Sequence, residues 1–214
     1  MSAVPSLHTF LTFALAAVVL VLIPGPSVLF IVGRALAHGR RAALTSVAGN
    51  TIGAAAVMVV VALGFGAIAA QSAELFTVLK YAGAAYLIYL GVQTFRHRGD
   101  LVEALAQPAG PVDRKLFLQG VVVGLTNPKS MVFFAAVLPP FVDPARGSAT
   151  TQMLLLGLTF AVLATTLDSA WGLVAGWARS WFATSPARLR KVGGTGGLML
   201  IVMGAGLAVS GRKD

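Results

Sequence analysis

Cysteine is absent from the chain, which excludes disulfides and thiolate metal sites. Charge is scarce too: 11% of the 214 residues are Asp, Glu, Lys or Arg, against roughly 25% in ordinary soluble domains. None of the three histidines, His8, His38 and His97, falls well inside an apolar run. Without cysteine or intramembrane histidine, a soft-metal exporter is disfavoured. No H-E-x-x-H, G-x-S-x-G or P-loop pattern occurs, so the expectation is a protein that is not an enzyme and does not use nucleotide. Uphill work would then draw on an ion gradient. Met1 to Phe10 contains no Lys or Arg, so the first apolar run lacks the basic start of a secretory signal and reads as a retained helix.

What is there is apolar: 57% by composition, divided into runs long enough to cross a hydrocarbon core of roughly 30 Å. Six spans are expected, near residues 7–32, 42–69, 75–95, 116–138, 151–171 (extending toward Val174) and 192–209. The net charge of +9 does not indicate nucleic acid, because the basic residues sit in short loops. Arg34, Arg40 and Arg41 follow span 1; Arg96, Arg98, Arg114 and Lys115 follow span 3; Arg179, Arg188, Arg190 and Lys191 follow span 5. These are eleven of the sixteen Lys and Arg residues. By the positive-inside rule all three loops are cytoplasmic, and both termini lie on the periplasmic side. Lys80 is expected to snorkel from the outer end of span 3. Tyr81, Tyr86 and Tyr89 are unevenly spaced, and one or more is expected to turn a hydroxyl into the bundle. Trp171, Trp177 and Trp181 suit an interfacial anchor around the third basic loop.

Two spans carry interruptions. Pro24, Gly25 and Pro26 stand late in span 1, and Thr126-Asn127-Pro128-Lys129-Ser130 lies within span 4. Proline removes an amide donor and clashes with the preceding turn, so both helices should bend or open there. Open backbone at membrane depth is tolerated where protein or a cavity covers it. The breaks align at one offset: Ser27-Val28-Leu29-Phe30 lies over Ser130-Met131-Val132-Phe133, with Gly25 over Pro128. Each heads a three-span half, residues 1–95 and 116–214, joined by a polar linker over 96–115. Three spans reverse the direction of the chain. The fold class expected is therefore an all-α polytopic membrane protein of six helices in two inverted repeats, helices 1 and 4 interrupted.

The polar residues inside the spans are few. Asp168 is the acid well inside any span and must be protonated, paired or wetted. A direct pair with Lys129 requires helix 4 to unwind near Asn127-Pro128 or Lys129 to extend inward, since Asp168 lies about 9 Å deeper by helical rise. Two roles stay open for Asp168: carrying a proton, or holding the ammonium of a zwitterionic substrate. Lys129 and the backbone amides near Pro24 to Ser27 could receive its carboxylate. Ser27, Asn50, Asn127 and Ser130 would complete a polar lining. Asn50 stands between Gly49 and Gly53, which form a close-packing face. A bundle pinned by Lys129 and Asp168 with no transport role is the structural alternative. Spare small-residue faces are compatible with a homodimer.

Pro24-Gly25-Pro26 followed by Gly33-Arg34-Ala35-Leu36-Ala37-His38-Gly39-Arg40-Arg41 resembles the LysE/RhtB family of bacterial amino-acid exporters. The likeness continues through Ser46-Val47-Ala48-Gly49, Lys80 to Gly91 and Gly124-Leu125-Thr126-Asn127-Pro128-Lys129, covering nearly the whole chain. The resemblance implies an inner-membrane exporter of amino acids or close derivatives, driven by proton antiport and working without a cofactor. It also implies that Pro24, Gly25, Pro26, Asn127, Pro128, Lys129 and the span-5 acid Asp168 sit at recurring positions. No further buried acid is present to suit a dibasic substrate, which leans the expectation toward small or neutral amino acids. A passive channel or facilitator for small polar solutes is the second reading, and a membrane scaffold the third.

Overall fold

The computed structural model describes residues 4–68, 73–99, 102–103 and 114–209, all helix, turn or short connection. Helix α1 spans Leu7–Leu22 and starts at Ser6, whose Oγ accepts the Thr9 amide at 3.1 Å. It stops because the residue before a proline is pushed out of the helical region. Ile23, before Pro24, is extended (φ −67°, ψ 116°), and Gly25, before Pro26, is extended as well (φ −101°, ψ −168°). Pro26 then opens α2, Pro26–His38, at a first-turn position that needs no amide donor. The two helix axes differ by 52°.

The loop expected over 33–41 shrinks to a single residue, Gly39. Having restarted at Pro26, the chain continues through the helix-favouring Arg34-Ala35-Leu36-Ala37 before Gly39 adopts φ +84°. Helix α3 (Arg40–Ile68) and α4 (Ala73–Arg96) follow. Within the 96–115 linker, Val102 and Glu103 are helical, and residues 100–101 and 104–113 lie outside the described residues. Helix α5 spans Arg114–Thr126 and α6 Pro128–Val132, separated by Asn127 alone. The chain then widens into a π-turn over Phe133–Val137, closed by the Leu138 amide on the Phe133 carbonyl at 2.8 Å. Helix α7 (Ala149–Trp177) runs beyond the expected end of span 5. The third basic loop is also largely helical, divided between α8 (Arg179–Ala183) and α9, which starts at Pro186 and runs to Val209.

Helices α3 and α7, the α5–α6–π segment to Val137, and α1 with α2 taken as one bent span give three clear crossings and up to four by length and composition among the described residues. The chain is an all-α, polytopic membrane protein.

Glycines decide which helices touch. Gly49 and Gly53 of α3 face Gly120 and Gly124 of α5, the pairs climbing together, so the two helices are parallel. A Cβ on Gly49 would collide with the Phe117 carbonyl, one on Gly53 with that of Val121, and one on Gly124 with that of Asn50. In lipid, where hydrophobic contrast between helices is weak, such backbone-to-backbone approach supplies the association energy. Helices α4 and α9 meet in the opposite sense: Gly91 lies against Gly197, and Gly204 against Ala84. Gly196 packs on the Pro24 carbonyl, so α9 backs the first break. These small-residue faces are thus occupied within one chain.

Helix α4 turns Ala84, Leu87, Leu90, Gly91 and Thr94 inward, and this 3-4 spacing puts the tyrosines elsewhere. Tyr81, Tyr86 and Tyr89 are each between 43% and 57% exposed, outside the packed face of the helix. The Lys80 side chain lies outside the described residues. Two apolar clusters flank the middle of the bundle. One gathers Phe13, Phe133, Phe134, Phe141 and Phe160, with ring centroids 4.8 to 6.0 Å apart, below the 139–147 turn. The other gathers Val28, Ile31, Ala43, Val47 and Ala175 toward the Gly39 turn.

Candidate functional site

Between the two clusters lies a cavity where both breaks meet α3 and α7. Ser27 reaches it from the start of α2, Asn50 from α3, Lys129 and Ser130 from α6, and Asp168 from α7. All five are at most 5% exposed. The cavity is small, about 20 Å³, with room for about one water.

Asn127 ties the two breaks together. Its Oδ1 accepts the Lys129 amide at 3.2 Å, capping α6. Its Nδ2 donates to Ser27 Oγ and to Ser130 Oγ, both at 3.1 Å. The side-chain amide thereby uses both donors and an acceptor. Pro24, Gly25, Pro26 and Pro128 do not line the cavity, and neither does Asn127, expected in its polar lining; they fix where the helices open.

Lys129 is buried (3% exposed), and its Nζ donates to the carbonyls of Leu20 at 3.0 Å and Ile23 at 2.9 Å. The cause is in the sequence. An unbroken helix would direct the residue-24 amide to Leu20 and the residue-27 amide to Ile23, but Pro24 has no N–H and Ser27 lies beyond the bend. Lys129 supplies those missing donors from the other half of the chain, a cation at a helix C-terminus. Charge-assisted bonds of this kind are worth about 1.5–3 kcal/mol each. The stem passes over Gly25, where a Cβ would sit 3.2 Å from Lys129 Cδ and 3.3 Å from Cε.

The direct Lys129–Asp168 pair left open by sequence does not form. The one ion pair among the described residues is the peripheral Arg146–Asp143 contact at 3.3 Å. Asp168 Oδ2 instead accepts from Asn50 Nδ2 at 3.2 Å. Asp168 Oδ1 and Asn50 Oδ1 are buried without a hydrogen-bond partner. Buried acceptors left open are uncommon and costly. Here two stand on adjoining side chains in one cavity, offering a seat for a donor that carries more than one hydrogen.

Sequence reasoning passed over the apolar half of the lining: Val21, Ala54, Met58, Phe134, Gly157 and Phe160. A signal existed for part of it. Asn50, Ala54 and Met58 share one helical stripe, as do Gly157, Phe160 or Ala161, Ala164 and Asp168, so extending each polar residue along its own face would have found them.

Comparison with known proteins agrees with this arrangement. The profile of the family described as LysE type translocator matches residues 18–211. A homoserine/homoserine lactone efflux protein of Salmonella typhimurium is 34% identical over 197 residues, 92% of this chain and 94% of its own length. An uncharacterized membrane protein of Vibrio cholerae is 40% identical over 158 residues, 72% of this chain and 74% of its own. A leucine efflux protein of Klebsiella pneumoniae is 29% identical over 158 residues, 72% of this chain and 73% of its own. No solved structure matches. With the profile covering both broken helices, the cavity between them and nearly all of the chain, this protein belongs to the LysE type translocator family and is a membrane transporter.

Proposed function

We propose that the cavity is the substrate seat from which this transporter exports small neutral amino acids, by proton antiport. The protein moves small amino-acid-like molecules out of the cytoplasm; the relatives named for homoserine and leucine efflux support that class. The observation that carries the assignment of the seat is the pair of unpartnered oxygens, Asp168 Oδ1 and Asn50 Oδ1, buried beside Ser27, Lys129 and Ser130. An ammonium group would satisfy both oxygens. The substrate carboxylate would face the opening turn of α2, where Ser27 stands next to Gly25 and Pro26, with the remaining Lys129 N–H turned toward it. When the seat is empty, a proton on Asp168 replaces the ammonium. Substrate and proton would thus compete for one carboxylate, which is the simplest basis for exchange.

The six-span, inverted-repeat topology belongs to the same proposal. Helices α3 and α5 are parallel, so the chain between them must recross the membrane, and α4, with 24 residues, is long enough to do so. Helix α9 has the same length and opposes α4. Arg34, which bonds Gln119 at 2.8 Å, and Arg40, over the Trp177 ring at 5.9 Å, share the Gly39 end of the bundle. That end is taken as cytoplasmic, with both termini periplasmic and halves of 1–95 and 116–214 around the 96–115 linker. A homodimer would have to form on lipid-facing surfaces, because the glycine faces are occupied within the chain.

Proteoliposomes preloaded with neutral, basic or acidic amino acids test the reading, with and without an imposed proton gradient. Saturable efflux of neutral substrates that rises with the gradient is expected, and Asp168→Asn should lose the gradient-driven part by at least about 100-fold, in line with loss of an essential proton group. Efflux indifferent to the gradient would point to a facilitator, and full gradient-driven export by Asp168→Asn would remove the proton role.

A further inference from the structure

The cavity has two chemically distinct ends, and Met58 lines the apolar one. Helices α3 and α7 run antiparallel, with Asn50 opposite Asp168, Thr51 Oγ1 bonded to Thr165 Oγ1 at 3.0 Å, and Met58 opposite Gly157. Met58 stands two turns from Asn50, roughly 12 Å along the axis. Helical side chains lean toward their own N-terminus, so Met58 leans back toward Asn50, and Asp168 leans toward Gly157. Between them the α3 and α7 walls carry Ala54, Ala55, Ala161 and Ala164. Small side chains leave a chamber, and Met58 closes its far end.

Met58 is seated directly on Gly157. A Cβ on Gly157 would collide with Met58 Sδ and stand 2.6 Å from Cγ and 2.7 Å from Cε. The absence of a side chain at 157 is therefore what lets the thioether lie against α7 instead of filling the chamber. An unbranched thioether has three soft torsions and can be displaced without moving a helix. Phe134 and Phe160, packed at 4.8 Å, brace the neighbouring wall. A longer aliphatic side chain that extends from Asp168 and Asn50 along these alanine walls meets Met58 at the end of the lining.

We infer that Met58, seated on Gly157, sets the upper size of the substrate side chain, and that the chamber selects neutral amino acids with short aliphatic side chains. This rests on the proposed seat at Asp168 and Asn50. No charged group lines the apolar end, so a cationic or anionic side chain would be buried there unpaired.

Two substitutions act in opposite directions. Met58→Ala lengthens the chamber; Gly157→Ala drives Met58 into it. The measurement is kcat/KM for alanine, valine, leucine and phenylalanine by counterflow in proteoliposomes of the full chain, with Met58→Leu as a volume-conserving control. One methylene in an apolar pocket is worth about 10- to 200-fold in discrimination. Met58→Ala should raise the leucine-to-alanine ratio by about tenfold or more, and Gly157→Ala should lower it by a similar factor. Met58→Leu should leave the ratio within about threefold, since volume-conserving apolar swaps are tolerated best. Ratios that do not move, or that move the same way in Met58→Ala and Gly157→Ala, overturn the size-selecting role while the seat stands. A wild-type protein that transports none of the four, yet is correctly inserted, removes the proposed seat and this role with it. If Met58→Ala does not insert, Gly157→Ala decides alone.

Discussion

The two helix breaks have the same sequence cause and different solutions. Each has an extended residue before a proline that opens the next helix: Gly25 before Pro26, and Asn127 before Pro128. The second break is served from within. Asn127 caps the α6 amide of Lys129 and bonds Ser130, and the chain departs from helical geometry for one residue. The first break is wider, with two prolines and a 52° bend, and it cannot serve itself. Its stranded carbonyls at Leu20 and Ile23 are met by Lys129 from the other half. Lys129 thus makes the first break depend on the second, so displacing one break from the other disturbs the bonds that hold the first.

Three substitutions sharpen this contrast. The largest effect is expected from Lys129→Met, which keeps the stem but orphans two carbonyls in an apolar setting. A loss of about 3 kcal/mol is expected in thermal unfolding in lipid nanodiscs, with export falling in step, because a buried unsatisfied acceptor costs about 1–3 kcal/mol. Gly25→Ala should follow at about 1–2 kcal/mol, since the added methyl crowds the Lys129 stem by tenths of an ångström. Asn127→Ala should be mildest, about 1 kcal/mol for a lost cap, because Ser27 and Ser130 hydroxyls can turn to nearby helix carbonyls. The order is the point of the experiment. Asn127→Ala costing more than Lys129→Met would mean that the second break, not the first, depends on its partner.

Much of the organisation was legible because lipid makes strong demands. Long apolar runs, basic loops and prolines within spans each have one dominant physical reading, so the helices and both interruptions lie close to where the residues imply. Boundaries slipped where loops were expected: residues 33–38 and 186–191 are helical because basic residues favour helix as readily as loop. The tyrosines of α4 lie outside its packed face, which is set by the close approach of Ala84 and Gly91 to Gly204 and Gly197. Lys129 shows the limit most clearly. Its depth and charge made Asp168 the natural partner, but sequence does not reveal that Pro24 leaves carbonyls within reach of it.

The sequence by itself determined that the chain is membrane-embedded helix, where it must break, and which few polar residues lie at depth, because backbone satisfaction in hydrocarbon and the geometry of proline are local constraints. Only the tertiary structure decided which polar group meets which. It gave Lys129 to the Leu20 and Ile23 carbonyls, Asn50 to Asp168, and two unpartnered oxygens to the cavity. Those choices depend on which helix faces glycine allows to approach, a property of two distant stretches at once.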